Sequence, residues 1–153
     1  VAERFKGLLN VYHFDCFIRI CGDSPILDCR LIDHALNIYK NGDYDLVTNI
    51  YPRSFPKGQS VEILDAKTFL NGYARFDSEE DFEHVTKYFY KNKSRYKIFN
   101  FESKENCSDV QLSIDTLEDM TGFEKIVSVM QRPHWDYSWE EIVEIRNKLI
   151  KRY

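Results

Sequence analysis

Glycine is scarce in this sequence, with six in 153 residues. None falls in a Gly-x-Gly or Walker-type loop, so the chain holds no phosphate cradle of that kind. The four cysteines, Cys16, Cys21, Cys29 and Cys107, include no pair at two-residue spacing. That excludes a zinc knuckle and a dithiol redox pair. No apolar run approaches the roughly 20 residues that span a bilayer, and the first residues carry no signal-peptide pattern. A concentrated basic surface is also missing. The net charge is −4, and the densest basic group, Lys91 to Arg95, reads as a solvated helix end. Together these absences predict reduced thiols, a cytoplasmic protein, and neither a membrane nor a nucleic-acid partner.

The composition that remains is that of one ordinary domain over residues 1–153. Hydrophobic residues make up 43% and charged residues 30%, enough to bury a core and stay soluble. Aromatics reach 15%, mostly Tyr and Phe.

Periodicity divides the chain into alternating elements. Phe5, Leu8, Leu9 and Tyr12 have helical spacing. Phe14 to Cys21 is mostly apolar and reads as a strand buried on both faces. Asp28 can cap a helix with the stripe Leu31, Ile32, Ala35 and Leu36, which Asn41-Gly42 ends. Asp45 to Thr48 predicts a second strand, Asn49 to Gln59 an irregular loop, and Val61 to Leu64 a third strand. Helices follow from Ala66 and from Ser78. Tyr96 to Phe101 and Val110 to Ile114 predict two more strands, and Thr116 to Gln131 a helix. Ser138 with Glu141 forms a capping box for the last helix. This alternation predicts an α/β domain with a mainly parallel sheet and flanking helices.

In such sheets ligands collect beyond the carboxyl ends of strands. Asp23, in Gly22-Asp23-Ser24-Pro25, and Asp115, after Ile114, stand at two such ends. If the strands are near neighbours, the two carboxylates can hold Mg²⁺, which takes one or two carboxylates plus phosphate oxygens and water. Asp115 equally suits a helix cap, and Asp23 a plain turn. Asp43-Tyr44-Asp45 is a further acidic pair, more readily a turn. The loop from Arg53 to Gly58 carries two cations, Arg53 and Lys57, and leads into Glu62; it can cradle an anionic or hydroxylated ligand or be ordinary surface.

Four segments, in order, resemble those of the spore coat polysaccharide biosynthesis cytidylyltransferases, relatives of the CMP-KDO and CMP-acylneuraminate synthetases. Ile18 to Asp28 is similar to "R-x-x-G-D-x-P-L-I-D". Arg53 to Glu62 is similar to "R-T-F-P-x-G-x-D-V-E", Asp81 to Tyr88 to "R-E-H-V-T-P-Y", and Leu112 to Asp119 to "L-T-V-D-T-P-E-D". The resemblance implies a Rossmann-like fold of the glycosyltransferase-A type. It implies transfer of a cytidylyl group from CTP to a sugar or sugar acid, with Asp23 and Asp115 as catalytic Mg²⁺ ligands. Arg53, Lys57, Glu62, Glu83 and His84 would bind substrate. Ser60, Lys87 and Leu117 depart from the family pattern.

Such enzymes also begin with a strand and a loop resembling "A-R-x-G-S-x-R-L-P-G-K", which this sequence does not contain. The expectation is therefore a partial domain, completed by an N-terminal segment or by association into a homo-oligomer. Two other functions share the fold: a catalytically degenerate assembly or sugar-binding module, and a glycosyltransferase using a ready-made sugar nucleotide.

Overall fold

A computed structural model describes residues 1–151. Its centre is a four-stranded sheet of β1 (Cys16–Arg19), β2 (Leu46–Thr48), β3 (Glu62–Asp65) and β4 (Ile98–Asn100), in the spatial order β1-β3-β2-β4. The seven helices among the described residues are α1 (Ala2–Val11), α2 (Cys29–Asn41), α3 (Ala66–Tyr73), α4 (Glu79–Glu83), α5 (Lys87–Lys91), α6 (Leu117–Ser128) and α7 (Trp139–Ile150). None of them is long and apolar enough to cross a membrane.

Successive strand residues point to opposite faces, and both faces here are covered. Val47 and Ile63 enter one core with Leu31 and Ala35 of α2 and Ile142 of α7. Leu46 and Leu64, their chain neighbours, enter the other with Phe69 of α3 and Phe89 of α5. All four strand residues are fully buried. An unbroken apolar run at β2 and β3 is therefore what a central strand between two helical layers requires.

The α/β class with flanking helices holds, but the sheet is not mainly parallel. β3 runs antiparallel to both β1 and β2, and only β2 and β4 are parallel. The reason lies in the connections. A parallel neighbour needs a long crossover, usually a helix, and the chain between β2 and β3 contains none. It returns antiparallel.

Two strand expectations are also corrected. β1 is half-buried rather than enclosed, because it lies at the sheet edge. Val110 to Ile114 forms no sheet strand. Its backbone pairs instead with the loop at Lys57: the Lys57 N–H donates to Val110 and the Leu112 N–H to Lys57, each at 2.9 Å. Gly58, with φ of +90°, makes that approach possible; a Cβ there would lie 2.6 Å from the Leu112 carbonyl carbon.

Buried polar side chains hold the long loop to the rest. The Asp28 carboxylate caps α2 at the Arg30 N–H (3.0 Å) and also accepts from the Trp139 N–H at the start of α7 (3.0 Å). The Asp28 N–H donates to Gln59 Oε1, and Gln59 Nε2 donates to the Ile26 carbonyl. Asn49 bonds the Gln59 carbonyl and the Val61 N–H. Asp28, Asn49 and Gln59 are nearly or wholly inaccessible, so these bonds are made away from water, where losing one partner is costly.

Replacing Asp28 with Ala removes the cap and strands the Trp139 N–H. Urea unfolding should show a loss of about 3 kcal/mol. Gly58→Ala should cost about 2 kcal/mol from the left-handed backbone and the clash with Leu112. An unchanged denaturation midpoint in either variant would contradict the account.

Candidate active site at the sheet end

Beyond β1 the chain turns at Cys21 to Ser24, and the Ile114 N–H donates to the Asp23 carbonyl at 2.9 Å. This bond sets the Asp23 loop against the Asp115 loop. Both side chains are exposed. Asp23 Oδ1 accepts from the Ser24 hydroxyl at 2.9 Å. Asp115 Oδ2 accepts from Gln111 Nε2 at 2.7 Å and from the Ser113 hydroxyl at 3.2 Å.

Asp115 is not the helix cap. Thr116 caps α6 in a full capping box with Asp119, whose carboxylate also accepts from the Asp115 N–H. Asp115 is thereby free for another role. Lys57 lies close enough to Asp119 to help hold that carboxyl below its ordinary value, an effect led by the Thr116 hydrogen bond.

Among the described residues no three His, Cys, Asp or Glu side chains gather into a cation cage. Two carboxylates on adjoining loops nevertheless suit Mg²⁺, which draws its other ligands from phosphate and water. The pair Asp43 and Asp45 is committed elsewhere. Asp43 pairs with Lys97, and Asp45 accepts from the Thr68 hydroxyl and the Lys97 N–H.

A second group lies where β1, β2 and β3 meet α5. Glu62 is 1% exposed. Its Oε2 accepts from Arg19 Nη1 and its Oε1 from the Tyr90 hydroxyl, both at 2.5 Å. Burial and the Glu62 charge push the Tyr90 phenol far above its usual range. Burial opposes the charge on Arg19, but Glu62 outweighs it and the net shift is upward. Arg53, half-buried, donates to the Ser60 hydroxyl at 3.1 Å; burial lowers it, while nearby Glu62 supports its charge. Cys21 sits between the two groups. Burial raises its thiol, and the charges of Arg19, Asp23, Glu62 and Arg53 all reach it.

Arg19, Tyr51, His84, Lys87, Tyr90 and Lys91 line an open cleft of about 450 Å³. Tyr51 stacks on Tyr90 with ring centroids 4.7 Å apart. Of the residues expected from sequence, Asp23, Asp115 and Lys57 gather on one side, and Arg53 and Glu62 on the other. His84 is on the cleft wall. Glu83 is not; its carboxylate lies 3.8 Å from the Val1 amino nitrogen. Glu62 sits behind the wall with both oxygens engaged. Tyr90, Thr48 and Tyr51 were not expected. Arg19 stood inside the first recognised segment without being singled out, whereas a tyrosine in a helix reads as core.

No protein-family model matches the chain. It is 28% identical to an uncharacterised protein of Methanocaldococcus jannaschii, over 99% of this chain and 60% of that protein. It is also 28% identical to spore coat polysaccharide biosynthesis protein SpsF of Bacillus subtilis, over 97% of this chain and 61% of that one. A cytidylyltransferase from Leptospira borgpetersenii has the same fold, with a TM-score of 0.90 at 23% identity. That match covers 98% of this chain and 63% of the other. The resemblance drawn from four segments thus extends over nearly the whole chain, and the chain spans about 60% of the length of the curated relatives it matches.

One titration reports on the cleft rim. Hydrogen bonds from Lys87 and Lys91 lower the Glu80 carboxyl to about 2. Its folded value is depressed, so the pairing is present above the ordinary value of 4.5 and lost as pH falls towards 2. The group is exposed, so the effect on stability is small and screened by salt. NMR of the Glu80 carboxyl carbon should show a midpoint near 2 at low ionic strength, rising in 1 M salt. A midpoint at 4.5 in low salt would refute the pairing.

Proposed function

We propose that this chain is the sugar-side and cation-side part of a cytidylyltransferase. It would serve surface polysaccharide biosynthesis in the cytoplasm, moving a cytidylyl group from CTP to a sugar or sugar acid. The observation that carries the proposal is the Ile114–Asp23 backbone bond. It joins the first and last of the four recognised segments, so the two carboxylates those segments predicted fall on adjoining loops. The similarity to SpsF and the shared fold with a solved cytidylyltransferase support it.

In this reading Asp23 and Asp115 would hold Mg²⁺, which when bound offsets charge on the α-phosphate. The chain's own residues orient the acceptor. Arg53, fixed by Ser60, and His84 on the cleft wall flank the sugar so that one hydroxyl faces the α-phosphate in line. That hydroxyl loses its proton to solvent, and its oxygen forms the new bond to phosphorus as the bond to pyrophosphate breaks. Lys57, near Asp119 and the Asp115 loop, adds positive charge beside the phosphates. The CTP base would be read by residues outside the recognised segments.

Calorimetry on the complete gene product should detect CTP binding in the presence of Mg²⁺. Asp23→Asn and Asp115→Asn should each weaken the Mg²⁺-dependent part at least tenfold, with thermal melting nearly unchanged. Equal affinity in the variants would remove the two aspartates from the site. Preference for a nucleoside-diphosphate sugar over CTP would point instead to a glycosyltransferase.

A further inference from the structure

Glu62 is the most deeply buried charge near the cleft, and both of its oxygens are engaged. A carboxylate so placed does not reach a ligand. What it reaches is Arg19, which lines the cleft. Removing one partner from a buried ionic group is strongly destabilising, so every partner of this carboxylate has a defined task.

Tyr90 has one hydroxyl proton. Glu62 can only accept, so that proton goes to Glu62 Oε1 at 2.5 Å. The Tyr90 and Thr48 hydroxyls are also bonded, at 3.0 Å. In that bond Thr48 must be the donor. The direction of the whole chain is then fixed: Thr48 donates to Tyr90, Tyr90 to one oxygen of Glu62, and Arg19 to the other.

Four separate elements supply the parts. Arg19 ends β1, Thr48 ends β2, Glu62 opens β3, and Tyr90 reaches over from α5. Arg19 and Glu62 are direct cross-strand partners, as are Thr48 and Glu62. The sheet register alone brings three of the four groups together, and α5 adds the fourth.

The cleft that Arg19 faces includes Lys87, Lys91 and His84 in its lining and, among the described residues, no carboxylate. Lys87 and Lys91 are both tied to Glu80. Among the described residues Arg19 has no such surface tether. Its one anionic partner there, Glu62, lies behind the wall, so its direction depends on how firmly Glu62 is held.

We infer that Tyr90, backed by Thr48, is a positioning residue: through Glu62 it fixes the Arg19 guanidinium at the cleft wall, where Arg19 receives an anionic group on the sugar-side substrate. The substrate half of this statement rests on the proposed cytidylyl transfer. The positioning half does not. Tyr90 touches no reacting atom, and Phe at this position keeps the ring stacked on Tyr51 while removing only the hydroxyl.

The test reads Arg19 directly. In protein labelled with ¹⁵N-arginine, rotation of the Arg19 guanidinium, assigned by its loss in Arg19→Lys, should be slow in the wild type. Tyr90→Phe should speed it at least fivefold. Thr48→Val, which leaves the Tyr90–Glu62 bond in place, should have a smaller effect of the same sign. Thermal melting of each variant separates this from unfolding. Unchanged Arg19 rotation in a folded Tyr90→Phe protein would overturn the positioning role. In a cytidylyl-transfer assay on the complete gene product, Tyr90→Phe should raise the sugar KM about tenfold and leave kcat and the CTP KM nearly unaltered. A fall in kcat with unchanged sugar KM would refute the assignment. A wild-type product with no transfer activity would sink the functional reading alone, since the rotation measurement would still decide the part played by Tyr90.

Discussion

Asp28 makes the constraint on which the rest of this structure depends. One carboxylate, 3% exposed, accepts from the first turn of α2 and from Trp139 at the start of α7, 111 residues further along the chain. It fixes α7 against α2, and its own N–H draws in Gln59. Through Gln59 and Asn49 the constraint extends along the long loop between β2 and β3, whose buried backbone groups have no strand partners. A loop at this depth is tolerable only if each polar group finds a bond. Here the Asn49 side chain bonds the Gln59 carbonyl and the Val61 N–H, and the Lys57 backbone pairs with Val110 and Leu112. Without that hub the loop would not present Arg53 and Lys57 to the sheet end, nor dock against Leu112 to bring Asp115 beside Asp23.

The second buried polar group works differently. Arg19, Glu62, Tyr90 and Thr48 join the sheet to α5 on the cleft side of the fold. Burying an ion pair brings a desolvation penalty that often cancels its attraction, so this group is weak as a source of stability. Its value is directional. It leaves a guanidinium at the wall of a cleft that contains other cations and stacked tyrosines, with the counter-charge hidden behind. The first hub holds the scaffold, and the second orients a side chain that the scaffold presents.

The segments around Asp23, Arg53 and Asp115 were singled out in the sequence, and they lie towards one end of the sheet: Asp23 follows β1, Arg53 sits in the loop between β2 and β3, and the Asp115 loop bonds the Asp23 loop through Ile114. His84 lies on the cleft wall. The misreadings have physical causes. Glu83 adjoins His84 in sequence, but it occupies the last turn of a five-residue helix and lies away from the cleft. The capping alternatives at Asp115 could not be separated by spacing, because Thr116 one residue on serves equally well and in fact does so. Tyr90 carries no local signal, since its partners lie 28 and 42 residues away.

Sequence alone sufficed to place strands at β2 and β3, the caps at Asp28 and Ser138, and the α/β class. These follow from residue periodicity and from hydrogen bonds that close within a few residues. Only the tertiary structure decided the direction of β3, the failure of Val110 to Ile114 to join the sheet, and the partners of Glu62. Each of those turns on which backbone edge or buried donor a segment meets, and that is fixed by non-local packing that no window of sequence contains.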